Sequence, residues 1–440
     1  MNFKAATILV STILPTIANG TPFWPIDGNK VPETIDLPKH VGTVNLKDVG
    51  YARIVPSMKE SRQSLLLSTF DGIPLIGKAA MYSYADAGSL LATHGNALPK
   101  PERVAGSLVW PNEPNYAPAS VFGVEGAVIP GGFLVPWARN GGIWFAPATA
   151  TGYGDLVPIW VPDNGNFYHR VEFIDVNKDG LLDILTCRAS ITHTNYWTQT
   201  TNGTGELVWL EPQDRTNPLG PWKEHVVSKH CDTFFHLADV DGDGKIDIIS
   251  AEFWGYALTL IQSTHPDGRF DQPDYLKFTT IANNLGQLFD VTFVDINNDG
   301  KKDIMATNHD MNGKGSCEVF EVPEDISKAP SPWPRHTLHR DFPVLQGGIG
   351  QASPGTAQPF HPRPSKSGKP SVVISGDAAQ QVYLLTPNST DPSNWDYTSR
   401  IVHACVTIVG GVAVGDVNND DRSEIYIPCY NSGKLEVYSF

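Results

Sequence analysis

Short apolar runs closed by Gly, Pro, Asn or Asp recur along the whole chain, the pattern of β-strands separated by turns. Seven of them resemble one another in length and composition. They are Pro74-Leu-Ile-Gly, Gly142-Ile-Trp-Phe, Glu206-Leu-Val-Trp-Leu, Ala257-Leu-Thr-Leu-Ile, Glu318-Val-Phe-Glu-Val, Gln381-Val-Tyr-Leu-Leu and Leu435-Glu-Val-Tyr. Further runs, such as His225-Val-Val-Ser and Arg400-Ile-Val-His, follow most of these as outer strands. The last run has no such follower before Phe440, so Val41-Gly-Thr-Val-Asn-Leu near the N-terminus is expected to complete its sheet. That pairing would remove two free sheet edges.

Between some of the runs lies a second recurring phrase, made of oxygen ligands. In the first copy Asp175, Asn177, Asp179 and Asp183 stand at loop positions 1, 3, 5 and 9, Gly180 permits a sharp turn, and the Leu181 carbonyl can fill position 7. This is the ligand arrangement of a calcium loop, here flanked by strands instead of helices. Asp239, Asp241, Asp243 and Asp247, with the Lys245 carbonyl, form a second copy. Asp295, Asn297, Asp299 and Asp303, with the Lys301 carbonyl, form a third. In the fourth, Asp416, Asn418, Asp420 and Glu424, with the Arg422 carbonyl, the turn glycine is replaced by Asp421. Calcium is the expected cofactor.

The first ligands are spaced by 64, 56 and 121 residues, the last gap being about two units with one degenerate copy. Self-similarity of this period marks a propeller or solenoid, and a chain this long holds about seven units. The expected fold is all-β, a seven-bladed β-propeller with calcium-binding loops in several blades, formed by residues 21–440. Blade one, Gly50 to Tyr84, has lost the ligand pattern at Met58-Lys-Glu-Ser, and Ala85 to Arg103 is an insertion carrying His94. Blade six has Pro359-Phe-His-Pro-Arg-Pro where a metal loop would stand.

Composition changes the picture in three places. Met1 to Gly20 reads as a secretory leader, with Lys4 before the apolar Ala5 to Leu14 and small residues at Thr16-Ile-Ala18, so the protein is expected outside the cell. No other stretch is long enough to span a membrane. Asn202-Gly-Thr and Asn388-Ser-Thr are glycosylation acceptors compatible with that route. The net charge of −15 argues against nucleic acid as a partner. Of five cysteines, Cys187 follows the metal loop of one blade and Cys231 precedes the first strand of the next, while Cys405 and Cys429 flank the last loop, which predicts two bridges and a free Cys317.

The metal loops join first to second strands, so they occupy one face of the disc. Chemistry is expected on the opposite face, where first strands begin and second strands end. The first group supplies Trp110-Pro-Asn112-Glu113, Tyr168-His169-Arg170, Asp232-Thr-Phe-Phe-His236, Leu288-Phe-Asp290 and Gly410-Gly411. The second supplies Arg188, His193, Glu252, Trp254, Asn308-His309-Asp310, Asp377 and Tyr430. Arg170 and Arg188 can hold a carboxylate as a fork, and His169, His193 and His236 can move a proton near neutral pH. Tyr168 and Trp254 can stack on sugar rings, with Asn112, Glu113, Asp290 and His309 as further contacts.

The four Asp-rich loops resemble the FG-GAP/VCBS repeat class, as in integrin α-subunit propellers. Trp110-Pro-Asn-Glu, Gly131-Gly-Phe-Leu-Val-Pro, Gly205-Glu-Leu-Val-Trp and Ser375-Gly-Asp-Ala-Ala-Gln-Gln-Val-Tyr-Leu-Leu resemble secreted fungal single-domain propellers. Those look like the propeller of aldos-2-ulose dehydratase and like L-rhamnose-α-1,4-D-glucuronate lyase. The resemblance implies β-elimination on an acidic plant polysaccharide side chain by a monomer. A non-catalytic propeller lectin and a protein-binding scaffold remain the alternatives. A lectin would repeat its sugar contacts from blade to blade, whereas His, Arg and Trp here fall at unequal positions.

Overall fold

The computed structural model describes residues 37–57, 62–70, 79–92, 96–104, 108–132, 141–195, 197–198, 200–214, 216–347 and 351–440. The expected leader, Met58-Lys-Glu-Ser, Pro74-Leu-Ile-Gly and His94 lie outside them. Seven four-stranded antiparallel sheets follow one another along the chain. Their innermost strands are Val49–Pro56, Asn115–Ala117, Phe167–Ile174, Phe234–Ala238, Gln287–Val294, Ala357–Phe360 and Ala413–Gly415. Each packs beside the next, and Ala413–Gly415 returns to Val49–Pro56, which closes a seven-bladed propeller.

The seventh sheet takes its outer strand from the other end of the chain. Lys39–Asn45 pairs antiparallel with Lys434–Ser439, setting Val44 opposite Leu435 and Thr43 opposite Glu436. The ring closes a second time at its centre, where Gly411 N donates to Gly50 O at 2.9 Å and Gly411 O accepts from Ala52 N at 3.0 Å. A side chain at position 411 would begin 2.3 Å from the Tyr51 ring, so glycine there lets the seam close and fixes that ring.

Inner strands have neighbours on both faces, and their burial is continuous instead of alternating: Phe167, Tyr168, His169, Arg170 and Val171 are all buried in succession. Outer strands such as Tyr397–Ala404 stay half-exposed along their length. Aromatic side chains fill the wedges between blades, as where Phe122 stacks on Phe145 at 4.2 Å beside Trp222, between the second and third. Disulfides join Cys187 to Cys231 and Cys405 to Cys429, and Cys317 is a buried free thiol. The first bridge ties the second strand of blade three to the start of blade four. The second pins the approach to blade seven's inner strand against the end of its second strand.

Two elements differ from the sequence reading. The third strand of the first blade is Met81–Tyr84, and the run expected there at Pro74 lies outside the described residues. In the third blade, Asp183–Asn195 and Thr200–Pro212 are thirteen residues each and form a hairpin that continues past its sheet. No helix among the described residues is long and apolar enough to cross a membrane.

Candidate functional site

The four acidic loops share one backbone course. Their fourth residues, Lys178, Gly242, Asn298 and Asn419, have φ of 59°, 74°, 59° and 59°, and their sixth, Gly180, Gly244, Gly300 and Asp421, have 91°, 83°, 88° and 65°. Asp421 thus makes the turn that glycine makes elsewhere, its carboxylate held by the amide and hydroxyl of Ser365 at 2.6 Å each. The sixth-position amides donate to the first carboxylates, Asp175, Asp239, Asp295 and Asp416, at 2.9–3.0 Å. The ninth-position carboxylates, Asp183, Asp247, Asp303 and Glu424, accept from the second-position amides.

These loops fit a hard cation. Oxygens of Asp239, Asp241 and Asp247 lie within 4.8 Å of one another, the spread expected of ligands about 2.3–2.6 Å from one calcium ion. Asp183 Oδ1 and Asp239 Oδ1 are buried with no hydrogen-bond partner among the described residues. Burial, with neighbouring carboxylates, pushes Asp183, Asp247, Asp303 and Glu424 up to about 7, a cost that a bound cation would remove. Asp179, Asp243, Asp299 and Asp420 complete the side-chain sets, together with Asn177, Asn297 and Asn418 and the carbonyls of Leu181, Lys245, Lys301 and Arg422.

On the opposite face, at the ring's centre, a cavity of about 180 Å³ opens among aromatic rings. Phe70, Trp110, Phe253, Trp254, Phe289 and Tyr430 wall it, with Tyr51. Asp377 is the only charged side chain among the described residues that line it. Burial pushes its carboxyl up to about 8. Its backbone is left-handed, φ 50°, as is that of Trp110, φ 37°. Such conformations cost about 1–3 kcal/mol each and persist where surrounding structure imposes them. Here Val409 N donates to Asp377 O at 3.2 Å, tying it to the segment anchored by Cys405–Cys429.

Phe253 and Trp254 owe their position to Asp232. Its buried carboxylate accepts from the amides of Phe253 and Trp254 at 2.7 Å and of Gly255 at 3.3 Å. Trp254 Nε1 reaches Thr201 O and Oγ1 on the long hairpin, both at 3.2 Å.

The basic residues do not gather at this mouth, which corrects the sequence reading. Arg170 is buried: Nε and Nη2 fork onto Glu113 at 2.7 and 3.3 Å, Nη1 donates to Phe235 O, and the guanidinium lies 4.4 Å from the Phe234 ring centroid. Arg53 Nη1 donates to the same Glu113, and Asp290 stands 3.6 Å from Arg170. Arg170 therefore has no fork left for a substrate carboxylate. Burial raises Glu113, but Arg170 and Arg53 outweigh it and hold that carboxylate down at about 2.

Arg188 pairs with Glu206 and Glu224, and Tyr168 Oη donates to Glu224 at 2.8 Å, a network within the third blade that Trp160 Nε1 of the second joins by donating to Tyr168 Oη and Glu224. Tyr168 is wholly buried and offers no stacking face. His193 is exposed on the long hairpin. His169 packs 4.2 Å from the Phe234 ring, and burial lowers it to about 3. His236 lines the central channel with Arg53, Arg170, Glu172 and Asp290, and burial and Arg170 lower it to about 4. Neither imidazole titrates near neutral pH. Asn112 is buried behind Trp110, and His309 stacks on Phe289 at 4.9 Å. Of the residues assigned a site role from sequence, only Trp254 lines the mouth. Asp377 and Tyr430 stood at second-strand ends without a role; an acid among the small residues of Ser375-Gly-Asp377-Ala-Ala, with no basic neighbour, was the available signal.

The FG-GAP-like repeat family matches residues 239–306, from the acidic loop of blade four into the second strand of blade five. None of the curated proteins compared matches the chain. Among solved structures, the PQQ-bound aldose sugar dehydrogenase of Streptomyces coelicolor is 11% identical over 92% of this chain and 98% of its own, with a TM-score of 0.38. The Dos1 propeller is 12% identical over 91% of this chain and 95% of its own, TM-score 0.41. The apo aldose sugar dehydrogenase of Escherichia coli is 11% identical over 76% and 98%, TM-score 0.40. At these values the likeness carries nothing about chemistry, and the family match is that of residues 239–306.

Proposed function

We propose that the protein is a secreted lyase that cleaves a rhamnosyl-glucuronate linkage by β-elimination, at the aromatic mouth, with Asp377 as the proton-moving group. The observation that carries this reading is a lone carboxyl, poised at about 8 by burial, at the base of a sugar-sized cavity walled by aromatic faces. A general base works best with a pKa near the operating pH. Ionised Asp377 takes the proton from C5 of the uronate. The electron pair forms the C4–C5 double bond, and the C4–O bond to rhamnose breaks. Tyr51, held well above the usual tyrosine range by burial and by Glu113, stays protonated and is the acid that protonates the departing oxygen. Hydrolysis fits less well, because glycosidases work with two carboxyl groups flanking the bond and the described residues of this lining supply one.

Incubation with an arabinogalactan-type gum is expected to raise ultraviolet absorbance as unsaturated uronate accumulates, with release of free rhamnose. Rhamnose release without new absorbance would overturn elimination in favour of hydrolysis. The second reading, sugar binding without turnover, is favoured by one observation: among the described residues the lining holds no arginine or lysine to neutralise a uronate.

The acidic loops are proposed to hold calcium for stability, away from the mouth. An ion that binds only the folded state at about 100 times its Kd adds about 2.7 kcal/mol per site. Chelation is therefore expected to lower the calorimetric Tm, with recovery in calcium and not in equimolar magnesium, which demands a tighter octahedral site. An unchanged Tm after exhaustive chelation would remove calcium from the account.

A further inference from the structure

A second cavity, of about 290 Å³, adjoins the mouth on the same face. Phe253 lines both, and the chain neighbours Gln351 and Ala352 line one each. The hydrogen-bonded pair Trp254 and Thr201 likewise divides between them, the indole facing the mouth and the threonine facing the second cavity. The cavity lies between the long hairpin of blade three and the Asp310–Asn312 turn of blade five.

Its chemistry differs from the mouth's. Thr201, Asn202, Gln287, Asp310 and Asn312 bring hydroxyl, amide and carboxylate groups to it. Asp310 Oδ1 already accepts from the amides of Asn312 and Lys314 at 2.7 and 3.0 Å, which fixes the carboxylate and leaves Oδ2 for a ligand. Tyr256 is 46% exposed at its edge. It has a left-handed backbone, φ 56°. Tyr256 and Trp110 are the two aromatic residues with such a backbone among the described residues, and each lines one of the two adjoining cavities. Outliers of this kind concentrate at ligand sites.

From this pairing we infer that the second cavity is a subsite for neutral sugar units of the same polysaccharide side chain, beyond the residue held in the mouth. Alternating donors and acceptors beside one exposed aromatic face suit a hydroxyl-rich ring, and among the described lining residues none is a lysine or arginine that would pair with a uronate. This inference rests on the mouth being a carbohydrate site.

The test uses two gum fragments ending in rhamnosyl-glucuronate, a disaccharide and a tetrasaccharide, and the full-length protein made without N-glycans. The tetrasaccharide is expected to show a kcat/KM advantage of about 10- to 100-fold from stacking on Tyr256 and from the hydrogen bonds that this stacking positions. Tyr256→Ala is expected to abolish that advantage through KM and to leave disaccharide turnover unchanged. Equal kcat/KM for the two lengths, or an advantage that survives Tyr256→Ala, overturns the subsite while the elimination reading stands. If neither fragment is turned over, elimination falls and calorimetric titration decides the cavity. Tenfold tighter tetrasaccharide binding that Tyr256→Ala removes supports it, and equal binding overturns it. Because Asn202 is itself a glycosylation acceptor, the glycoprotein from a eukaryotic host supplies one more outcome. A glycan on Asn202 seen filling this cavity overturns the subsite.

Discussion

Glu113→Ala is expected to destabilise the folded protein by about 3–5 kcal/mol, the cost of leaving a buried charge without its partner. Glu113 is 6% exposed and receives Arg170 as a fork and Arg53 as a second donor. Deleting it leaves the Arg170 guanidinium, 9% exposed, with Phe235 O and a more distant Asp290. The three residues come from blades one, two and three, so the loss is felt across the ring. Glu113→Gln keeps the shape but not the charge and is expected to recover less than half of the stability. Denaturant unfolding with an unchanged m-value measures it. A loss under about 1 kcal/mol for Glu113→Ala would mean that water reaches Arg170 and that the channel is wetter than its side chains suggest. The pH dependence has a definite sign. The folded-state pKa, about 2, lies below the ordinary glutamate value, so this stabilisation is complete above roughly pH 4.5 and is lost as pH falls toward 2. In Glu113→Gln that part of the acid transition is expected to vanish.

What the chain discloses before folding is what repeats. The loop at Asp175 recurs at Asp239, Asp295 and Asp416 because each copy solves the same local problem, and its period sets the blade number. The closing strand is readable because the seventh copy lacks an outer strand and Val41-Gly-Thr-Val-Asn-Leu is an apolar run standing ahead of the first blade. Both disulfides join a second strand to the approach of an inner strand, the first between neighbouring blades and the second within one. Blade one is the least legible because Met58-Lys-Glu-Ser lacks the ligand pattern that elsewhere marks where strands end, and its third strand is Met81–Tyr84. The site was less legible, for a different reason. Arg170 and Arg188 sit at strand positions where a side chain can face a mouth or a neighbouring blade with equal ease. Glu113 and Glu224 decide between these only through contacts 57 and 36 residues away. Asp377 escaped because its distinction is the absence of charge around it, which becomes visible only when the aromatic rings from other blades are in place.

Asp377→Asn is expected to lower kcat on the gum by about 10²–10⁴-fold, the usual contribution of a positioned proton-transfer group, with little change in KM. The amide has nearly the same shape and cannot take a proton, so binding in the aromatic cavity is retained while the step is lost. Stability should not fall with it. Burial is what raises this carboxyl above the ordinary aspartate value, so the ionised form is disfavoured in the folded state, and a neutral amide is expected to match or slightly exceed the wild type in Tm above pH 4. That sign separates a functional residue from a structural one, since replacing a structural carboxylate such as Asp232, with its three backbone amides, should cost stability. The pH profile follows from the same value. Since the base form does the work, kcat should climb as pH rises through about 8, with about a tenth of the limiting rate at pH 7. Tyr51 titrates too high to bring the rate down again before the protein's alkaline limit. A profile that falls through pH 8 would make Asp377 the acid instead, protonating the leaving oxygen while another group removes the C5 proton. A flat profile together with an active Asp377→Asn enzyme would remove this carboxyl from the chemistry and leave the mouth a binding site.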